Sequence, residues 1–346
     1  MQKKAFIIAF VLIGLAILIV ANVLISGAKD PDDGYKVAVY VPGFVAGSPT
    51  YEMMVMGVRK AVSESESASV KVIEGDYNQG LWQEGVAGLA ASGQFDLIVS
   101  SNPGMPEICA EISKQYPKQK FLLLDGYLEG NPNIYTFRYN QFQQGYLVGY
   151  FGAIISGSGM PGTTDGIKLG LIAAQEYPDM MLSIKPGFEK GAQDKASNAK
   201  VDFRVIGDWA DAAKAAELAD SMYDSGVDVI LTIAGSASQG VIKSAKDRGK
   251  YVLWFDSNGY DQEPGVIIGC SGIAQIGVAY EKTKLAINGG LPFGSAEYEG
   301  IKEGRVYFID DDPIFREYVK LEYIDEIKNA EKDIREGRVT VEGPVL

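Results

Sequence analysis

Residues Val227 to Asp256 read VDVILTIAGSASQGVIKSAKDRGKYVLWFD. An apolar run from Val229 to Ile233 gives way to a small-residue turn at Gly235-Ser236. A helical segment follows, and a second apolar run from Tyr251 to Phe255 closes at Asp256. Strand, loop, helix and strand in so short a stretch is the unit of a parallel sheet, because parallel neighbours need a crossover. Working outward, the same unit occurs once more. Phe95-Asp96-Leu97-Ile98-Val99 opens a stretch that closes at Leu124-Asp125 over almost the same interval. Upstream, Val72-Ile73-Glu74-Gly75-Asp76 matches Val205-Ile206-Gly207-Asp208, each followed by a tryptophan.

Further strands are read at Val37–Val41, Val70–Ile73 and Phe121–Asp125, then at Lys168–Ile172, Val201–Ile206 and Val266–Cys270. Amphipathic segments separate them. The pattern is α/β, with two similar lobes, each a doubly wound, mostly parallel sheet covered by helices on both faces. Ligands of open α/β sheets lie beyond the carboxyl ends of the strands, so two facing lobes place a cleft there.

The residues at those strand ends are polar and aromatic. The first strand runs into a Gly/Pro loop with Phe44, Ser48 and Tyr51, where Ser48 or Thr50 is placed to cap the next helix. The following ends carry Asn78 and Trp82, then Asn102, then Asp125. In the second half they carry Tyr177, Trp209, Gly235-Ser236 and Asp256. A Trp is usually core, yet Trp209 stands on a strand-end loop between Asp208 and Asp211, where a flat ring is a stacking surface worth about 0.5–1.5 kcal/mol beyond its burial. Asp256 reads either as a turn cap or as an acceptor for a ligand diol, at about 1.5–3 kcal/mol per bond to the charged group. Asp125 occupies the same place in the first half, with Gly126 favouring a turn. Met53, Met54 and Met56 read as core.

Composition narrows the chemistry. The 346 residues contain no histidine, which excludes a His-based triad and His-ligated zinc. No metal site or cofactor is expected, and an enzyme would have only scattered carboxylates, such as Asp125 with Asp256, for a hydrolase. A net charge of -13 argues against nucleic acid or anionic membrane surfaces as partners. Cys109 and Cys270 read as buried thiols or as a bridge between the two halves. At the start, Lys3-Lys4 precedes an apolar run from Phe6 to Ile25 and then Ser26-Gly27-Ala28. Residues 1–28 are therefore expected to be a signal peptide or an N-terminal membrane anchor, with 6–25 as the tether of an extracytoplasmic protein. No Cys lies near this segment to carry a lipid.

Several motifs carry a family resemblance. Asp228 to Gly235, Gly240 to Gly249 and Val252 to Ser257 resemble the signature of the basic-membrane-protein family of ABC-transporter substrate-binding proteins. So do Ile206-Gly207-Asp208-Trp209-Ala210-Asp211, Gly187-Phe188-Glu189-Lys190-Gly191, the glycine-rich Gln144 to Gly149, and Ile334 to Val339, which is similar to the family's closing strand. The resemblance implies a two-lobed periplasmic-binding-protein type I fold with its ligand in the interlobe cleft. Lobe 1 would span 36–138, completed by roughly 274–296, and lobe 2 would span 139–273, completed by roughly 297–341. It implies a monomer that hands a small molecule to an ABC permease.

Purine nucleosides are among the family's ligands. Trp209 falls where those receptors stack a Phe on the base, Asp256 where they hold the ribose hydroxyls, and Gly235 where backbone meets ligand. Gly47-Ser48-Pro49-Thr50-Tyr51 lacks the family's base-edge Asp, and Ser271-Gly272-Ile273-Ala274 lacks its Lys. Gly47 to Glu52, Val99 to Pro103 and Tyr139-Asn140-Gln141 resemble the riboflavin-binding branch. Riboflavin is thus the expected transported ligand, with a purine nucleoside as alternative; an extracytoplasmic sensor domain is the remaining reading outside transport.

Overall fold

The computed structural model describes residues 34–343. The expected leader, 1–28, lies outside them. Twelve strands and ten α-helices of the described residues form two six-stranded sheets.

The first sheet has the order β11-β5-β4-β3-β1-β2 and is parallel throughout. Its strands are β1 (Tyr35–Val41), β2 (Ala68–Glu74), β3 (Leu97–Ser101), β4 (Lys120–Leu124), β5 (Ile134–Tyr139) and β11 (Ala296–Glu299). The helices α1 (Pro49–Ser63), α2 (Gln79–Ser92) and α3 (Met105–Gln115) connect its early strands. The second sheet, in the order β12-β10-β9-β8-β6-β7, contains β6 (Lys168–Ala173), β7 (Lys200–Val205), β8 (Val229–Ile233), β9 (Tyr251–Trp254), β10 (Ile267–Ile273) and β12 (Val306–Phe308). It is parallel except for β12, which runs antiparallel to β10. The central strands β3 and β8 are buried on both faces apart from Ile233, which is why they are mostly apolar, with Ser100 and Ser101 ending β3 and Thr232 inside β8.

The chain crosses between the sheets three times. After β5 it enters α4 (Gln141–Ser156), which belongs to the second sheet with α5 (Lys185–Lys195), α6 (Ala212–Asp224) and α7 (Ser238–Arg248). After β10 it returns through α8 (Gln275–Ile287), which packs on α1, and β11, which pairs with β5. It crosses again to β12 and the helices α9 (Pro313–Tyr318) and α10 (Leu321–Arg335). Because β11 lies in the first sheet, that last crossing falls after Glu299 and not at 296/297.

The glycine motifs have a packing cause. α4 is buried almost all round, as a helix apolar on every side must be. A Cβ on Gly145 or Gly149 would stand 2.5 or 2.1 Å from the carbonyl oxygen of Ile184 or Phe188. One on Gly187 or Gly191 would stand 2.2 or 2.0 Å from that of Phe142 or Tyr146. The two motifs are the two faces of one contact, in which backbone meets backbone. Asp228 of the third motif is fully buried at the start of β8 and accepts from Ser156, Thr164 and Lys250, away from the strand carboxyl ends.

One motif expectation is corrected, and of the two readings for the cysteines the buried thiols hold. Ile334 and Arg335 end helix α10, and Gly337 follows at φ 72°, so 334–339 is a helix end and turn, not a closing strand. Cys109 on α3 and Cys270 on β10 are buried free thiols, so no bridge joins the two halves. Of the three methionines, Met54 is core, Met53 packs against it and Met56 is exposed. No helix among the described residues is long and apolar enough to cross a membrane.

Candidate functional site

Two aspartates mark equivalent places in the two lobes. Asp125 follows β4 at φ 57° and Asp256 follows β9 at φ 70°. Few side chains accept this left-handed backbone, and Asp is one of them. The turn swings each carboxylate from the sheet toward the crossing helix α4. There Gln141 Nε2 donates to Asp125 Oδ1 at 3.2 Å, and Gln144 Nε2 donates to Asp256 Oδ1 at 3.0 Å. The two glutamines are three residues apart, hence neighbours on the first turn of one helix. The sequence reading missed Gln144; its spacing from Gln141 was the available signal.

Lobe 1 reaches the second aspartate directly, since Thr50 Oγ1 donates to Asp256 Oδ2 at 3.3 Å. Thr50 thus joins the lobes, while the N-cap Ser48 makes no capping bond with its side chain. A second interlobe link pairs Arg138, at the end of β5, with Asp179, beyond β6. Asp179 is only 3% exposed. No local pattern announces this pair, because 41 residues separate its members.

Burial raises the pKa of Asp125 well above the carboxylate range, with Asp179 and Asp256 adding to the rise and Arg138 opposing it. Burial likewise raises that of Asp256, against the donors Gln144 and Thr50. Asp179 is raised by burial and held back by Arg138. The ring of Tyr177 lies beside these acids, its hydroxyl pushed up by burial and then by Asp256, Asp125 and Asp179. That ring faces Trp209 at 6.3 Å between centroids and 35° between planes.

Trp209 is partly exposed and its backbone is pinned. Its carbonyl accepts from Ala237 N at 3.1 Å and from Ser236 Oγ at 3.2 Å. Gly235 sits at φ 55°, and a Cβ there would stand 3.2 Å from the Trp209 carbonyl oxygen. The Gly235-Ser236 turn therefore positions the indole, and the Ser236 hydroxyl is engaged in doing so.

The remaining candidates divide. Tyr51 is partly buried, donates to the Pro42 carbonyl at 3.3 Å and accepts from Asn102 Nδ2 at 3.5 Å, which places Tyr51 and Asn102 together beside Asp125. Phe44 is exposed and meets Tyr77 edge-on at 5.5 Å, and Tyr77 also shares a hydrogen bond with Ser48 at 3.1 Å. These form a lip on lobe 1. Asn78 and Asn140 serve as N-caps of α2 and α4. Trp82 is a correction: it is buried in the helix-side core of lobe 1, with its indole N–H donated to the Asp76 carbonyl at 2.9 Å. Its place beside a strand end resembled that of Trp209, but its ring turns inward.

Chemically, the place where the lobes meet is rich in acceptors and flanked by aromatic rings. It suits hydroxyl donors and a planar ring. No group of residues able to hold a metal ion occurs among the described residues.

Comparison with known proteins agrees with this architecture. Residues 35–340 match the family described as ABC transporter substrate-binding protein, PnrA-like. A CD4+ T-cell-stimulating antigen of Listeria innocua is 29% identical over 180 residues, covering 50% of this chain and 48% of that protein. The chain thus spans about half the length of that relative. An ABC transporter nucleoside-binding protein of Lactococcus lactis is 25% identical over 267 residues, 71% of each chain. Among solved structures, an ABC transporter solute-binding protein from Aeropyrum pernix superposes with a TM-score of 0.78 at 18% identity, covering 90% of this chain and 94% of the other.

Proposed function

Because the chain belongs to the basic-membrane-protein family of PnrA-like ABC-transporter substrate-binding proteins, we propose that it captures riboflavin outside the cytoplasm and delivers it to an ABC permease. It acts as a binding component, not an enzyme, and as a monomer. The observation that carries the reading is the meeting of Asp125 and Asp256 from opposite lobes on one turn of α4, beside the Tyr177–Trp209 pair. Carboxylates there accept from a polyol, and the indole stacks on a wide ring. The resemblance places Gly47 where nucleoside receptors of the family read a base edge with Asp, and that exchange makes room for a larger ring.

Delivery follows from the interlobe contacts. A ligand between the lobes adds its own bonds to Thr50–Asp256 and Arg138–Asp179, so it favours the closed arrangement that a permease reads. The leader at 1–28 would hold the protein beside the permease, and N-terminal sequencing of the native protein tests its retention.

A purine nucleoside is the second reading, favoured by the Lactococcus lactis relative, whose name gives it as nucleoside-binding. One experiment separates the two. Titration with riboflavin should quench flavin fluorescence through Trp209, and protein purified from flavin-containing medium should show a flavin absorption band. Binding of guanosine or inosine without any flavin effect overturns riboflavin in favour of the nucleoside.

A further inference from the structure

Three glutamines stand where the lobes meet, and each is bonded on one side of its amide alone. Gln141 Nε2 donates to Asp125, and Gln144 Nε2 donates to Asp256 and, at 3.3 Å, to Ser271 Oγ. Gln275 Nε2, at the start of α8, donates to Ser101 Oγ at 3.0 Å and to the Thr50 carbonyl at 3.5 Å. All three side chains are at least nine-tenths buried. Their Oε1 atoms have no hydrogen-bond partner among the described residues.

The amides of Gln141 and Gln144 cannot simply be turned over. Above the raised pKa of each aspartate the carboxylate is ionised and only accepts, so there the nitrogen must face it and the oxygen must face away. The groups are also contiguous. Gln275 holds the Thr50 carbonyl, the Thr50 hydroxyl holds Asp256, and Asp256 holds Gln144. Asp125, which Gln141 holds, is near enough to Asp256 to feel its charge. A buried acceptor without a donor is a standing penalty in the empty protein, recovered when a donor arrives.

We infer that Gln141, Gln144 and Gln275 are the specificity-determining residues of the cleft, their carbonyls accepting from neighbouring hydroxyls of an uncharged polyol. The assignment rests on the cleft being the ligand site proposed above. It also states what the cleft refuses. A phosphate at the same place brings acceptors and negative charge, and it would meet Asp125, Asp179 and Asp256 with Arg138 already paired to Asp179. The ligand is therefore taken without a phosphate on its hydroxyl chain.

The test compares the full chain with Gln141→Met, Gln141→Lys and Gln144→Lys, using riboflavin and lumiflavin, the same ring without the polyol. Gln141→Met removes both halves of the amide, whereas each lysine keeps an N–H donor for the aspartate, removes the carbonyl and adds a positive charge that pairs with the carboxylate. Each variant should bind riboflavin roughly tenfold more weakly, the loss of about one hydrogen bond, and lumiflavin as the wild type does. Wild type should also prefer riboflavin to its 5′-phosphate. Unfolding temperatures without ligand check that each variant folds. Equal losses for both flavins, or a Gln141→Lys protein that keeps wild-type affinity for riboflavin, overturns the inference while the site itself stands. If wild type takes nucleosides instead, guanosine and 9-methylguanine serve as the matched pair. A wild type that binds neither pair overturns the transport reading, and this inference with it.

Discussion

Replacing Asp256 by Asn changes little but the charge of the acceptor at the centre of the cleft. Asn tolerates the left-handed backbone that Asp256 adopts at φ 70°. Its side-chain oxygen still accepts from Gln144 Nε2, and its amide nitrogen turns toward Thr50, whose hydroxyl is able to accept. The fold therefore keeps its contacts and loses a buried negative charge that opposes Asp125. A hydrogen bond from a ligand hydroxyl is worth about 1.5–3 kcal/mol to a charged acceptor and about 0.5–1.5 kcal/mol to a neutral one. The difference of about 1–1.5 kcal/mol corresponds to roughly 5- to 13-fold weaker binding per hydroxyl. Asp256→Ala removes the acceptor outright, for roughly a 13- to 160-fold loss. It also places Ala in a left-handed conformation costing about 1–2 kcal/mol of stability. Affinity is measured by calorimetric titration, and stability by thermal unfolding without ligand. The expected order is wild type, Asn, Ala for affinity, with the Asn protein at least as stable as wild type. Unchanged affinity in both variants would refute the reasoning, since the cleft would then lie elsewhere.

Trp209→Ala should lower affinity by about 1–3 kcal/mol and abolish quenching of a bound flavin, while Trp209→Phe retains most of the affinity; an Ala variant that still quenches contradicts stacking. At neutral pH, Asp125→Asn should be more stable than wild type in the absence of ligand. Asp125 has its folded pKa raised by burial above the ordinary 3.8, so the folded state binds its proton more readily than the unfolded one. The wild-type penalty is present above the raised value and is relieved as pH falls through it, and the gap between the two proteins should close on acidification. A pH-independent gap in paired thermal melts would contradict this. Gly149→Ala should cost roughly 1–3 kcal/mol or more, because its Cβ would stand 2.1 Å from the Phe188 carbonyl oxygen. Gly88→Ala, on α2 with open space around it, should instead stabilise by about 0.5–1 kcal/mol. Equal melting temperatures for the two variants would show that α4 and α5 do not pack as described.

The repeat from Phe95 to Asp125 and from Val227 to Asp256 was enough to assign two α/β lobes, because a parallel strand buried on both faces is mostly apolar and does not alternate. β3 and β8 are such strands. The edge strands β11 and β12 are only four and three residues long, and they left no comparable mark. Asp125 and Asp256 were legible as strand-end carboxylates for the same local reason, an apolar run that stops at an acid. The turn of each aspartate into left-handed backbone, which aims it at α4, was not.

Trp82 and Trp209 show where local reading stops. Both follow a strand end, Trp82 in the first turn of α2 and Trp209 just before α6, and both looked like walls of a cleft. Only the packed structure separates them, since Trp82 fills the lobe 1 core while the turn at Gly235 to Ala237 holds Trp209 outward. Partners far apart in the chain were equally beyond reach. Arg138 with Asp179, Thr50 with Asp256, and Gln275 with Ser101 are joined by chain crossings that bring distant segments together. Periodicity and strand-end chemistry are properties of neighbouring residues, so the chain alone settled the fold class and picked out the polar strand ends. Which buried groups pair, and which carbonyls are left without a donor, depends on the closure of two lobes on each other, and only the tertiary structure decides it.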